Sequence, residues 1–211
     1  MQSQNLLSEI NSLISSNISK EINARYVGFK SFEKKPEEDW FSELCFCLTT
    51  ANSSAMMGIK VQGALGFEGF YNLPLKKLSN ELRALGYRFY NRRAEFIIGA
   101  RQHFGIKAKL GEFADDRQKR QYLAENVKGL GFKESSHFLR NTGHDNVAIL
   151  DRHILRIMHE HGLINVIPKT INAKNYVQIE QILDRFLPST GLNHSTLDLS
   201  LWYLKTGKIL K

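Results

Sequence analysis

"KGLGFKESSHFLRNTG", residues 128–143, places two glycines, Gly129 and Gly131, on either side of Leu130 and a lysine, Lys133, shortly after them. The stretch before it, "RQKRQYLAENV" (117–127), carries apolar residues at helical spacing, and so does the stretch from Lys133 to Arg140. The segment from about 117 to 143 therefore predicts helix, short glycine hairpin, helix. Two readings of the hairpin stand side by side. It is a tight connection in which Gly129 caps the first helix. Or it is a phosphate cradle, because glycines turn the chain tightly and leave successive N–H groups exposed beside a helix N-terminus. A cradle of that kind positions nucleic acid without reading its sequence.

Outward from the hairpin the periodicity stays helical. Leu6, Leu7, Ile10, Leu13 and Ile14 follow the spacing of an amphipathic helix, and Trp40 to Leu48 is apolar enough for a buried one. Further helical patterns cover Ser79–Leu85, Asn91–Phe104, Asp151–His161, Asn175–Phe186 and Ser195–Leu204. No series of alternating strands interrupts them, so the fold class expected is all-α. The fifteen to twenty residues around "FEKKPEEDW" predict a surface excursion, since Pro36 disfavours a helix through it. Glu37 and Glu38 suit the first turn of the helix that follows. The two cysteines, Cys45 and Cys47, are badly placed to pair with each other and too few for a four-cysteine cluster or zinc site. They read as buried small hydrophobes of a reducing compartment.

With 29 Lys+Arg against 21 Asp+Glu, the chain carries +8, which suits a polyanionic partner as well as it suits a merely basic soluble protein. No apolar run approaches the roughly 20 residues of a membrane span, and the N-terminus lacks the pattern of a signal peptide. The expectation is a cytoplasmic protein.

Eighteen positions after Lys133 stands Asp151, in "AILDRHILRIM" (148–158). The apolar run from Val147 to Leu150 delivers it to the start of an amphipathic helix, where it makes a good N-cap. Capping leaves a carboxylate ionised and fixed in direction, so a cap can also act chemically. Five histidines fall between 137 and 161, but "HEH" at 159–161 lacks the i, i+4 spacing of a zincin helix. His153 is expected to support the loop at Asp151, and no transition-metal site is expected.

"VKGLGFKESSHFLRN" followed by "AILDRHILRIM" resembles the helix–hairpin–helix DNA glycosylase superfamily, which includes endonuclease III. The hallmark is Gly-x-Gly-x-Lys, then an aspartate eighteen residues later before x-His, and Lys133, Asp151 and His153 match it. Within the superfamily the chain resembles the small archaeal-type 8-oxoguanine DNA glycosylases. That likeness includes "LTTANSSAMMGIK", "GYRFYNRRAEFI" and the ending "LDLSLWYLKTGKILK". It implies one helix–hairpin–helix unit over residues 1–211, with two helical lobes flanking a DNA-binding cleft and the N- and C-terminal helices sharing one lobe. It implies no iron–sulfur cluster, and a monovalent cation at the hairpin when DNA is bound.

The resemblance implies that Lys133 attacks the anomeric carbon of a damaged nucleotide, expels the base and forms a Schiff base that β-elimination then nicks. Attack needs a neutral amine, whose ordinary pKa is about 10.4. Asp151 would stabilise positive charge on the sugar and orient or deprotonate the amine. Because the base must leave the duplex, flat side chains must hold it; Phe89 and Trp202 are the candidates, against a core role for both. Lys211 would supply a main-chain carboxylate as acceptor for the N7–H that 8-oxoguanine has and guanine lacks. Asn52 and Ser53, in "TANSSA", would enter the vacated stack or contact the opposite base, or else cap a helix. Arg92 and Arg93 would contact phosphate or form a solvated face. The partner expected is double-stranded DNA containing 8-oxoguanine, met by a monomer.

Overall fold

The computed structural model describes residues 2–211 and places twelve α-helices among them, with no strand. They are α1 (Gln2–Ile14), α2 (Ile18–Phe32), α3 (Glu37–Thr50), α4 (Ala55–Asn72), α5 (Leu75–Ala84) and α6 (Tyr90–Ala100). After them come α7 (Ile106–Leu110), α8 (Asp116–Asn126), α9 (Phe132–Asn141), α10 (Arg152–Glu160), α11 (Ala173–Phe186) and α12 (His194–Thr206). The all-α expectation holds, and the helices that the periodicity predicts are present.

Three helices lie where no helical pattern stood out: α2, α4 and the five-residue α7. α2 buries only Ile22 and Phe29, so its apolar stripe is thin. α4 is rich in glycine and kinks at Gly66. Its glycines serve packing: a Cβ at Gly58 would lie 2.7 Å from Thr50 and 2.9 Å from Phe46 on α3. The two helices thus approach more closely than side chains would permit. The expected surface excursion is corrected. α2 runs to Phe32, and only residues 33–36 separate it from α3. Pro36, extended after a tight turn over residues 33–35, caps α3, which is compatible with a helix starting just after it. Glu37 sits in the first turn of α3, where it also accepts from the backbone N–H groups of Lys107 and Ala108.

Burial falls into two main clusters. One centres on α3, whose Phe41, Leu44, Phe46 and Leu48 are fully buried among residues of α4 to α9. The other joins Leu6 and Ile10 of α1 to Leu155 and Met158 of α10, Leu183 of α11 and Leu197 of α12. Each such side chain contributes about 1.5–3 kcal/mol when fully buried. A smaller cluster seats Ile22 and Phe29 of α2 against Leu13 and Leu199. Cys45 and Cys47 are free and fully buried, and burial pushes both thiols well above their usual range. Among the described residues, no helix is long and apolar enough to cross a membrane.

Candidate active site

A cleft of about 1110 Å³ opens between the two clusters. Its walls come from the α3–α4 loop, α9, the segment leading into α10, the 167–171 loop, α12 and the C-terminal tail. Lys133, Asp151, Trp202, Lys211, Asn52 and Ser53 all line it.

Lys133 is the second residue of α9, directly after the hairpin. The hairpin is held by shape. Gly129 has φ +101°, and a Cβ there would lie 2.5 Å from the Phe96 ring and 3.1 Å from Leu48. Both the backbone and the space therefore demand glycine. Gly131 is the N-cap of α9, and its N–H donates weakly to Glu134 at 3.4 Å. The other oxygen of Glu134 lies 3.5 Å from Lys133 Nζ. Glu134 is thus the carboxylate within ion-pair distance of the lysine, rather than Asp151.

Asp151 reaches the cleft on a rigid mount. The N–H of Ala148 donates to Glu180 at 2.8 Å, the N–H of Leu150 donates to Tyr176 Oη at 3.0 Å, and that hydroxyl donates to the Ala148 carbonyl at 2.7 Å. Glu180 is itself gripped by Arg120 of α8 through bonds of 2.5 and 2.7 Å, both side chains being buried. This fork pins α8, and with it the hairpin, to α11 and the Asp151 segment. Asp151 then caps α10, accepting from the N–H groups of His153 and Ile154 at 2.8 and 2.9 Å. His153 completes that cap and packs its ring edge-on against Trp202 at 4.7 Å. Its expected support of the Asp151 loop is borne by its backbone.

The Trp202 indole N–H is buried without a hydrogen-bond partner in the protein. His137, one helical turn after Lys133 on α9, is buried in the same wall with its ring beside the main chain of Lys211. Burial, then the charges of Arg140, Lys133 and Lys211, hold the His137 imidazole well below its usual pKa, so it is neutral. Asp198, one turn before Trp202 on α12, accepts from Arg140 Nη1 at 2.6 Å. Burial, opposed by Arg140 and aided by the nearby Asp151, pushes its carboxyl up to about 6. His137, Arg140 and Asp198 carry no motif of their own; the usable signal is spacing, since each stands four or seven residues from Lys133 or Trp202 on a shared helix face.

Three other predicted residues land elsewhere. Phe89 is exposed and does not line the cleft; its ring lies under the guanidinium of Arg88, which does, at 4.4 Å. Arg92 is exposed and pairs with Glu95 at 3.1 Å. Arg93 is corrected from phosphate contact to structural support: it is buried and donates to the Ala51 carbonyl at 2.7 Å and to Tyr87 Oη at 3.1 Å. It thereby fixes the start of the loop that carries Asn52 and Ser53. Neither of those two caps α4; Ser54 does, accepting from the N–H of Met57. Asn52 instead adopts a left-handed backbone at φ +56° and stays exposed at the cleft. Among the described residues, no group of three or more His, Cys, Asp or Glu side chains is placed to hold a metal ion.

The family model described as 8-oxoguanine DNA glycosylase matches residues 22–192. The 8-oxoguanine DNA glycosylase/AP lyase of Methanocaldococcus jannaschii is 47% identical over 206 residues, covering 98% of this chain and 99% of its own. Its crystal structure with a 15-mer DNA containing 8-oxoguanine superposes with a TM-score of 0.95, over 98% of this chain and 99% of that one. The crystal structure of the 8-oxoguanine DNA glycosylase of Thermotoga maritima gives a TM-score of 0.92 at 42% identity, covering 99% of this chain and all of that one. With its helix–hairpin–helix architecture and near full-length similarity, the chain belongs to the 8-oxoguanine DNA glycosylase family.

Proposed function

We infer that this chain is a bifunctional DNA repair enzyme: it excises 8-oxoguanine from DNA and nicks the resulting abasic site by β-elimination. The observation that carries the reading is the convergence of Lys133, Asp151 and Trp202 on one cleft. Each comes from a different element, so only a shared substrate explains the grouping. Lys133 Nζ attacks the anomeric carbon, the C–N bond to the base breaks, and the base leaves with a proton. Loss of the ring oxygen bond gives the imine, and removal of the 2′ proton expels the 3′ phosphate. Asp151, held by its capping bonds, faces the positive charge that develops on the sugar without having to reorganise. Trp202 offers the extruded base a ring face, and the neutral His137 in the same wall brings no charge into the site.

Hairpin amides grip the phosphate beside the attacked sugar. The carbonyls of Lys128, Gly129 and Leu130 accept no hydrogen bond among the described residues, which makes them a fitting place for a monovalent cation against the bound strand. The reading needs no further cofactor and places a monomer on chromosomal DNA in the cytoplasm. Borohydride added during reaction with 8-oxoguanine duplex should trap a covalent adduct, and Lys133→Gln should abolish it. An adduct that persists in that variant would move the nucleophile; one formed only with an oxidised pyrimidine would change the substrate.

A further inference from the structure

The side chain of Lys211 turns away from solvent. Its Nζ lies 2.7 Å from Glu43 Oε2 and 2.5 Å from Gln62 Oε1, with the centroid of the Phe46 ring 4.2 Å away. Glu43 belongs to α3 and is 1% exposed, and Lys211 is its ion-pair partner. The other carboxylate oxygen accepts from Asn141 Nδ2 at 2.6 Å, and Gln62 Nε2 donates to Oε2 at 3.1 Å. A carboxylate this deep is costly unless it is paired. Here the partner lies 168 positions along the chain, on the segment that follows α12. The same network continues inward: Arg140 Nε donates to Asn141 at 3.1 Å, and Arg140 also holds Asp198. Lys211 lines the cleft on one side and a smaller cavity, about 450 Å³ and shared with Glu43, on the other.

We propose that Glu43 is a positioning residue for damage recognition, acting through the Lys211 ammonium to fix the main chain of Lys211, and the oxygen acceptor it offers, at the cleft. The inference rests on the function proposed above. An oxygen acceptor accepts a hydrogen bond from the N7–H of an oxidised purine but meets a lone pair on the N7 of guanine. The repulsion discriminates only if the acceptor cannot move aside. Beyond α12 the tail is held by the packing of Ile209, by the Lys208 N–H on Thr206, by the contact of the Lys211 main chain with His137, and by the Glu43–Gln62 receptor, which is its one buried charge pair among the described residues. A buried charge pair is therefore what turns a flexible tail into a rigid acceptor.

The test compares single-turnover release of 8-oxoguanine with nicking at a preformed abasic site, where no base has to be recognised. Glu43→Gln keeps the shape and removes the charge. It should slow 8-oxoguanine release roughly tenfold or more, as loss of a charge-assisted hydrogen bond implies, while abasic nicking falls much less. Lys211→Met should give the same split, and the double variant should be no worse than either single one, because the two act through one contact. Equal loss on both substrates, unchanged 8-oxoguanine release, or additive effects in the double variant would overturn the proposal. Should Glu43→Gln not fold, Gln62→Leu at the partly exposed rim of the receptor should show a smaller split of the same kind, and its absence would also overturn it. If the wild-type protein released no 8-oxoguanine, the functional reading itself would fail instead.

Discussion

The two walls of the cleft are built by opposite means. The hairpin wall works through main-chain shape: a glycine at φ +101°, an N-cap carboxylate on two amides, and a segment whose backbone groups are bonded to α11. The α12 and tail wall works through buried side-chain charge: Arg140 on Asp198, and Lys211 on Glu43. The hairpin wall should therefore be intolerant of an added methyl group, and the tail wall intolerant of a changed charge. Main-chain geometry suits gripping a phosphate that every nucleotide shares. An acceptor locked in place by buried side-chain charge suits telling one base from another.

The largest effect expected is at Asp151, where the proposed function gives one carboxylate both the capping bonds and a part in the chemistry. Asp151→Asn keeps a good N-cap and removes the charge. Excision should fall by roughly 10²- to 10⁴-fold, with melting temperature nearly unchanged. Asp151→Ala should lose the activity and about 1 kcal/mol of stability as well. Equal melting points for the two variants would mean that the cap does not support the wall.

Gly129→Ala comes next. A left-handed backbone plus a 2.5 Å clash with Phe96 should cost about 2–5 kcal/mol in denaturant unfolding and weaken binding to undamaged duplex. The same change at Gly131, where φ is −101° and the nearest atom is the far end of Glu134 at 3.4 Å, should cost far less. Similar losses at both positions would remove the shape argument.

The smallest effect is the pH response of the charged wall. The Asp198 carboxyl lies near 6, above its ordinary range, so its proton is favoured in the folded state. Its contribution to stability is complete at acid pH and is lost as pH rises through about 6. Its ion pair with Arg140 runs the other way, forming as pH rises through the same value. Excision should then show an acidic limb near pH 6, by up to about tenfold per unit. Asp198→Asn should flatten it. A limb that survives would have to come from another group, and not from His137, which stays neutral there.

Much of this was legible in the chain. The helix class followed from apolar spacing, since burial of one stripe per helix leaves a periodic trace. Lys133, the hairpin glycines and Asp151 were legible because a hairpin and an N-cap are local structures, set by residues a few positions apart. α2 and α4 left little trace: one buries a thin stripe, and the other replaces side chains with glycine to approach α3. Arg93 and Arg92 look alike in sequence, and only the fold sends one inward to Tyr87 and leaves the other at the surface.

The sequence by itself therefore determined the fold class, the glycine hairpin and the capping aspartate, because each depends on short-range geometry that residue type dictates, while the resemblance to a glycosylase family marked Lys133 as the nucleophile candidate. Only the tertiary structure decided how the cleft's second wall is held. Glu43, Gln62, Asn141 and Lys211 meet across as many as 168 positions, and a buried carboxylate shows its meaning only when the cation that neutralises it is seen.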